Sequence, residues 1–162
     1  MRNHRRSKAL CAAVAALALA GFAGCGGDDE GKSAGNSKEE VAQYQKTFRA
    51  AGADFKKAAE KSATEVKSAD DTAGRVKALE GLNGAVNEAA DDFAALEVPE
   101  KVKSDNDKLV SQFRGLAKEV DGVKNALDSG DQGAAQAAAQ KLQSAQESIG
   151  KTLIRIESKL KG

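Results

Sequence analysis

The sequence predicts an all-α protein, arranged as an up-down-up-down antiparallel four-helix bundle. Beyond residue 37, apolar residues recur at alternating steps of three and four, which is the spacing of one buried helix face. Polar or proline-containing breaks divide this pattern into four segments of about 25–31 residues, long enough for rods of roughly 37–46 Å. The breaks are short, and short connections place consecutive helices antiparallel. The alternatives are a three-helix bundle, with one helix merged or displaced, and a dimer of two helical hairpins.

The first predicted helix begins at a capping box. Ser37 supplies the N-cap hydroxyl, and Glu40 supplies the reciprocal side chain three residues later. The pattern continues to about Lys67 and ends at the polar run 68–72, which offers new N-cap candidates. The apolar stripe of this helix comprises Val41, Tyr44, Phe48, Ala51, Phe55, Ala58, Ser62 and Val66.

The second predicted helix extends from about Thr72 to Leu96. Pro99 marks the boundary with the third helix, because proline ends a helical pattern and suits the first turn of the next helix. The stripe of the second helix comprises Val76, Leu79, Asn83, Val86, Ala90, Phe93 and Leu96 (or Glu97).

The third and fourth helices meet at a glycine. The third has the most regular stripe, with steps of four and three over almost four heptads. Gly130 fits its C-terminal cap, and Asp131 is the N-cap of a fourth helix that extends to about Lys161. The third stripe comprises Val102, Asn106, Leu109, Phe113, Leu116, Val120, Val123 and Leu127. The fourth comprises Ala135, Ala138, Leu142, Ala145, Ile149, Leu153 (or Thr152), Ile156 and Leu160.

Two asparagines, Asn83 and Asn106, fall on apolar stripes and are the candidate buried polar residues. One interpretation makes them polar anchors of a ligand pocket between helices. The other makes them structural, because a single asparagine on a coiled-coil stripe fixes helix register through a buried hydrogen bond. A position near a wet bundle end would also explain them.

The first residues of the chain follow the order of a secretory signal peptide. A basic start is followed by the apolar run 9–20 and then by small residues. The apolar run is about a dozen residues long, which is short of the roughly 20 that a membrane-spanning helix requires. The basic residues are Arg2, Arg5, Arg6 and Lys8.

The sequence Phe22-Ala23-Gly24-Cys25 resembles the bacterial lipobox, although that family usually has Leu where Phe22 stands. The resemblance implies that Phe22, Ala23 and Gly24 are recognised by the lipoprotein-processing enzymes, and that Cys25 carries a diacylglycerol after cleavage. The alternative is a plain secretory signal, cut near Ala23 or Gly24 and leaving a free thiol. Together with its alanine-rich helices, the chain is similar to small actinobacterial lipoproteins.

The predicted organisation is therefore a signal peptide at 1–24, a lipidated cysteine with a flexible linker at 25–36, and a helical bundle at 37–162. After Cys25 the linker reads GGDDEGKSAGN, which holds no large apolar residue and cannot bury enough surface to stay ordered.

Composition excludes several classes of chemistry. Removal of residues 1–24 also removes His4 and Cys11, so the predicted mature chain has no histidine and no cysteine other than Cys25. It loses four of 25 basic residues and none of 24 acidic ones, which leaves 21 against 24 and a formal charge of −3. We therefore expect no disulfide, no catalytic residues of the Ser-His-Asp or Cys-His type, and no metal or other cofactor. Nucleic-acid binding is disfavoured because it requires a basic face and stacking aromatics.

Two functions remain as hypotheses. The first is a non-enzymatic cell-envelope module, anchored by its lipid on the extracytoplasmic face of a membrane, that binds another envelope protein or itself. Such a module would expose apolar residues beside the stripes, with Leu82, Val110 and Ile154 as candidates. The second is a small-ligand carrier or sensor, with a cavity where Ala135 and Ala138 face Asn83 or Asn106.

Overall fold

A computed structural model describes residues 37–161 and arranges them in four helices. They are α1 (Lys38–Ser68), α2 (Thr72–Ala94), α3 (Glu100–Asp128) and α4 (Gln132–Lys161). Each helix packs against the next one along the chain, and residues 37–161 contain no strand. The predicted four-helix bundle is confirmed. The predicted signal peptide and linker, including Cys25, lie outside the described residues.

The helix starts are fixed by side chains that accept backbone hydrogen bonds. At α1 the backbone N–H of Glu40 donates to Ser37 Oγ at 3.1 Å, and Ser37 N–H donates to Glu40 Oε2 at 3.0 Å, which confirms the capping box. Asp71 and Asp131 each accept from an N–H three residues later, at 2.8 and 2.9 Å, at the starts of α2 and α4. These bonds satisfy donors that a helix cannot satisfy by itself.

Two helix ends reflect local backbone chemistry. The second helix stops at Ala94, two residues before the predicted end at Leu96, and the chain turns through 95–98 into Pro99. The helical conformation is disfavoured for the residue before a proline, so the chain is already extended there. Gly130 follows α3 with φ of +71°, a left-handed conformation that favours glycine, and its N–H donates to the carbonyl of Leu127.

The aromatic side chains of α1, α2 and α3 form one continuous cluster. The order of ring contacts is Tyr44, Phe48, Phe93, Phe113 and Phe55, with successive centroids 4.9–5.3 Å apart. Each such contact adds about 0.5–1.5 kcal/mol to the stability gained from burial. Because Phe55 and Phe113 belong to α1 and α3, the cluster ties together two helices that are not adjacent in the chain. The five rings are at most 4% exposed.

The buried faces follow the predicted stripes with local shifts. On α3 the first seven stripe residues are buried and Leu127 is half-buried. On α1 the buried alanine is Ala59 rather than Ala58, and on α4 Gln146 is more buried than Ala145. A helix with 3.6 residues per turn drifts relative to a seven-residue repeat, so the buried position moves by one residue along a long helix.

Replacing Phe113 by alanine should lower the free energy of unfolding by about 3–5 kcal/mol, because a ring in contact with both Phe93 and Phe55 is removed from a closed core. Urea denaturation followed by circular dichroism measures this loss. Ser111→Ala is the control, since Ser111 is exposed on the same helix and such a change shifts stability by about 0.5 kcal/mol or less. Equal losses for the two variants would contradict the shared aromatic core.

Candidate functional site

A buried asparagine joins three helices at one end of the aromatic cluster. Asn106 of α3 is 2% exposed. Its Nδ2 donates to the carbonyl oxygen of Phe93 on α2 at 3.0 Å, and its Oδ1 accepts from the hydroxyl of Tyr44 on α1 at 3.0 Å. Phe93 lies in the last turn of α2, where carbonyls have no partner within the helix. Asn106 therefore supplies the missing donor from a neighbouring helix.

The environment of Tyr44 keeps its hydroxyl protonated. Burial raises the pKa of Tyr44 well above its ordinary value, and the negative charge of Asp105 adds to the increase. The hydroxyl therefore remains a donor toward Asn106.

A buried carboxylate next to this asparagine fastens α4 to α3. Asp105 is 5% exposed, with its Oδ2 2.7 Å from Lys159 Nζ and its Oδ1 3.3 Å from Arg155 Nη1. The hydrogen bond from Lys159 is the main cause that holds the pKa of Asp105 below its ordinary value, and the charges of Lys159 and Arg155 act in the same direction. Burial opposes this effect and is outweighed. The carboxylate is therefore ionised and paired.

Asn83 is half-buried and connects α2 with α3. Its Nδ2 donates to the carbonyl of Ala117 at 2.9 Å, and its Oδ1 accepts from Asn87 at 2.6 Å. Both asparagines singled out in the sequence thus form hydrogen bonds between helices. These contacts correspond to the structural interpretation, in which a stripe asparagine fixes the register of its neighbours.

The alanines expected to line a cavity lie in a helix contact. Ala135 and Ala138 are 1% and 9% exposed, and the Cβ of Ala138 is 3.7 Å from the position that a Cβ would occupy on Gly122 of α3. Neither alanine lines either of the two surface grooves described next, and neither asparagine does.

The surface formed by residues 37–161 includes two open grooves. One follows the outer side of α2 and α3, and the other lies between α1 and α2. The first is lined by Ala94, Asp107, Val110, Ser111, Arg114, Gly115 and Lys118. The second is lined by Ala58, Lys61, Ser62, Glu65, Gly81, Gly84, Ala85 and Glu88.

The prediction that three apolar residues are exposed as an interaction surface is wrong for two of them. Leu82 is 0% exposed and Val110 is 8% exposed, whereas Ile154 on α4 is 68% exposed. The reason is that α2 and α3 each pack between two neighbours and therefore bury a wider face than one stripe.

The ion pair at Asp105 was missed by the sequence analysis, although the sequence contains a signal for it. Asp105 flanks the stripe residue Asn106, while Arg155 and Lys159 flank Ile156 and Leu160. Opposite charges beside the stripes of two adjacent antiparallel helices favour an interhelical ion pair.

Within residues 37–161, no three acidic, histidine or cysteine side chains converge in a way that could hold a metal ion. In the same part of the chain, no helix combines the length and the apolar character needed to cross a bilayer. The predicted lipidation residue Cys25 and the recognition residues Phe22, Ala23 and Gly24 lie outside the described residues. Comparisons of the chain with protein-family models, with curated proteins and with solved structures give no match.

Replacing Asn106 by alanine should lower the free energy of unfolding by about 2–4 kcal/mol, because it leaves the hydroxyl of Tyr44 and the carbonyl of Phe93 buried without partners. Tyr44→Phe removes one bond only and should cost less. Chemical denaturation of both single variants and of the double variant measures their coupling. Strictly additive losses would show that the two side chains do not interact.

Asp105 should make stability depend on pH in the acidic range. Its folded-state pKa is lowered, so its contribution is present above the unfolded-state pKa of about 3.9 and is lost as pH falls through the folded-state pKa. Urea denaturation at a series of pH values should show Asp105→Asn less stable than wild type at neutral pH, with the difference shrinking below about pH 4. Asp107→Asn, at an exposed position on the same helix, should follow the wild-type profile. A constant difference between Asp105→Asn and wild type would contradict the role of the charge.

Proposed function

We propose that this protein is a bacterial lipoprotein of the cell envelope, tethered by lipid on Cys25 to the extracytoplasmic face of a membrane. The observation that carries the proposal is the order of segments in the sequence. A basic start and a short apolar run lead to Phe22-Ala23-Gly24-Cys25, and a polar linker then precedes a helix that begins at a capping box.

The geometry of the bundle supports such a tether. The start of α1 and the end of α4 lie at the same end of the bundle, where Gln45 Nε2 donates to the carbonyl of Leu160 at 3.4 Å. Eleven linker residues have a reach of roughly 15–20 Å. The tether would enter at this end and leave the sides of the bundle and its far end available for partners.

We further propose that the bundle is a non-enzymatic interaction module. In the described residues, the buried polar groups of Tyr44, Asn106 and Asp105 bind one another or other helices. The chain after Cys25 contains no histidine, so the common hydrolytic triads have no base. Side chains engaged in this way stabilise the bundle and are not directed at a substrate.

The rival function, a small-ligand carrier or sensor, has less support. The residues that would hold its ligand are Asn83, Asn106, Ala135 and Ala138. Asn83 and Asn106 are already hydrogen-bonded between helices, and Ala138 packs against Gly122. The open grooves lie on the outer surface of the helices, a setting that suits contact with another macromolecule.

The tether can be tested in a bacterial host that expresses the full chain. We expect the wild type in the membrane fraction, with a mature chain that begins at Cys25 and has the added mass of a diacylglycerol. Cys25→Ala should abolish both the cleavage and the lipid, whereas Cys11→Ser should change neither. A soluble product that begins near Ala23 or Gly24 would replace this proposal with plain secretion.

A further inference from the structure

The groove between α1 and α2 has a floor of small residues. Ala58 and Ser62 come from α1, and Gly81, Gly84 and Ala85 come from α2. Space is open above Gly84, since no neighbouring side chain or helix lies within 4 Å of the position of a Cβ there. Glycines weaken the middle of a helix relative to alanine. Two of them on one exposed face let another backbone approach closely.

An unpaired hydroxyl lies at the bottom of this groove. Ser62 is 4% exposed and lines the groove, with its Oγ 3.7 Å from the position that a Cβ would occupy on Gly81. Among residues 37–161 the structure gives this hydroxyl no hydrogen-bond partner. The Oγ atom itself is open to the groove and is not one of the side-chain atoms sealed in the core without a partner, so it offers a hydrogen-bonding group to whatever enters the groove.

The exposed stripe of α2 along the groove has a symmetric pattern. It carries Lys77, Gly81, Gly84 and Glu88, with one charge of each sign at its ends and two glycines in the middle. Gly81, Gly84 and Glu88 line the groove, and Lys77 lies one turn before it. Lys77 and Glu88 are exposed and have no ion-pair partner within residues 37–161. When this stripe is placed antiparallel to a copy of itself, Lys77 lies opposite Glu88 and Gly81 lies opposite Gly84. Each pairing then occurs twice.

We propose that this groove is a self-association surface whose occupant is α2 of a second copy of the chain, related by a two-fold axis between Gly81 and Gly84. Such a symmetric contact uses the same patch on both subunits. The glycines allow close approach of the two helices, and the charges fix the antiparallel direction. The hydroxyl of Ser62 lies beside the approaching backbone and can donate to one of its carbonyls.

The expected dimer is weak in dilute solution. The stripe from Lys77 to Glu88 is about 16 Å long. A contact between two helices over this length buries less area than stable protein interfaces do. The inference therefore rests on the proposed function in one respect: the lipid tether would raise the local concentration of the bundle at the membrane. It also specifies the partner of the interaction module.

A zero-length carbodiimide cross-linker tests the contact on the full chain in its membrane. It joins an amine to a carboxylate only when they touch. Lys77 and Glu88 of one copy are about 16 Å apart along α2, so a Lys77–Glu88 cross-link must come from two copies. We expect a dimer band that yields this peptide, and in a mixture of light and heavy isotope-labelled protein the peptide should contain both labels. Absence of the peptide from a membrane-bound sample would overturn the proposal.

Charge reversal tests the pairing itself. Lys77→Glu and Glu88→Lys should each weaken self-association about tenfold, because each places like charges opposite one another twice. The double variant should recover it. An equal mixture of the two single variants should form mixed dimers in preference to either homodimer. Identical dimer yields in all these samples would overturn the antiparallel geometry.

Two glycine variants separate the interface from the fold. Gly84→Leu fills the open groove and should abolish the dimer while the circular dichroism spectrum stays unchanged. Gly115→Leu is the matched control, because Gly115 also has open space above it but lines the other groove, and it should keep the dimer. Loss of the dimer in both variants would overturn the assignment to this groove. Membrane fractionation of the same samples tests the lipid tether separately. A protein that stays in the membrane fraction but remains monomeric would refute self-association and leave the lipoprotein proposal intact.

Discussion

The buried amide of Asn106 is the constraint that fixes how α1, α2 and α3 align. The apolar core of these helices consists of alanines, leucines, valines and aromatic rings, whose contacts are non-directional and tolerate sliding by one heptad. Asn106 tolerates no such shift. Its Oδ1 accepts from a hydroxyl on α1 while its Nδ2 donates to a carbonyl in the last turn of α2, and both bonds require the same register. Any other register buries unpaired polar atoms. Asn106, together with the bond from Asn83 to Ala117 between α2 and α3, thus selects one alignment among several apolar ones.

The fourth helix is held differently from the other three. It contributes no ring to the aromatic cluster, and its first half packs through small residues such as Ala138 against Gly122. Near its end, the carboxylate of Asp105 on α3 binds two of its cations. Between these two ends, Leu142, Ile149 and Ile156 are at most 1% exposed and belong to the hydrophobic core. Close packing, apolar burial and an ion pair therefore hold α4 in the bundle. The aromatic cluster therefore belongs to three helices, and the aliphatic side chains of α4 complete one hydrophobic core with them.

The helices were predictable from the sequence because their signals are local. Ser37 and Glu40 form a cap within one turn, and the stripe of α3 has a period that only a helix would bury. The position of Asn106 on that stripe was also visible. Its partners were not, since Tyr44 is 62 residues away and the Phe93 carbonyl belongs to the backbone. Leu82 was misplaced because one stripe cannot show that a helix has neighbours on both sides.

Folding speed is a consequence of the packing between consecutive helices. Contacts between neighbours in the chain require little loop closure, and chains with such topology fold quickly, in microseconds to milliseconds. We expect the helical hairpins to assemble early and reversibly. The bond between Tyr44 and Asn106 and the contact between Phe55 and Phe113 span about 60 residues, so they should form only when α1, α2 and α3 are all in place. A chain truncated before α3 would lack these long-range contacts, so its helical hairpin would unfold frequently. We expect proteases to degrade such a fragment.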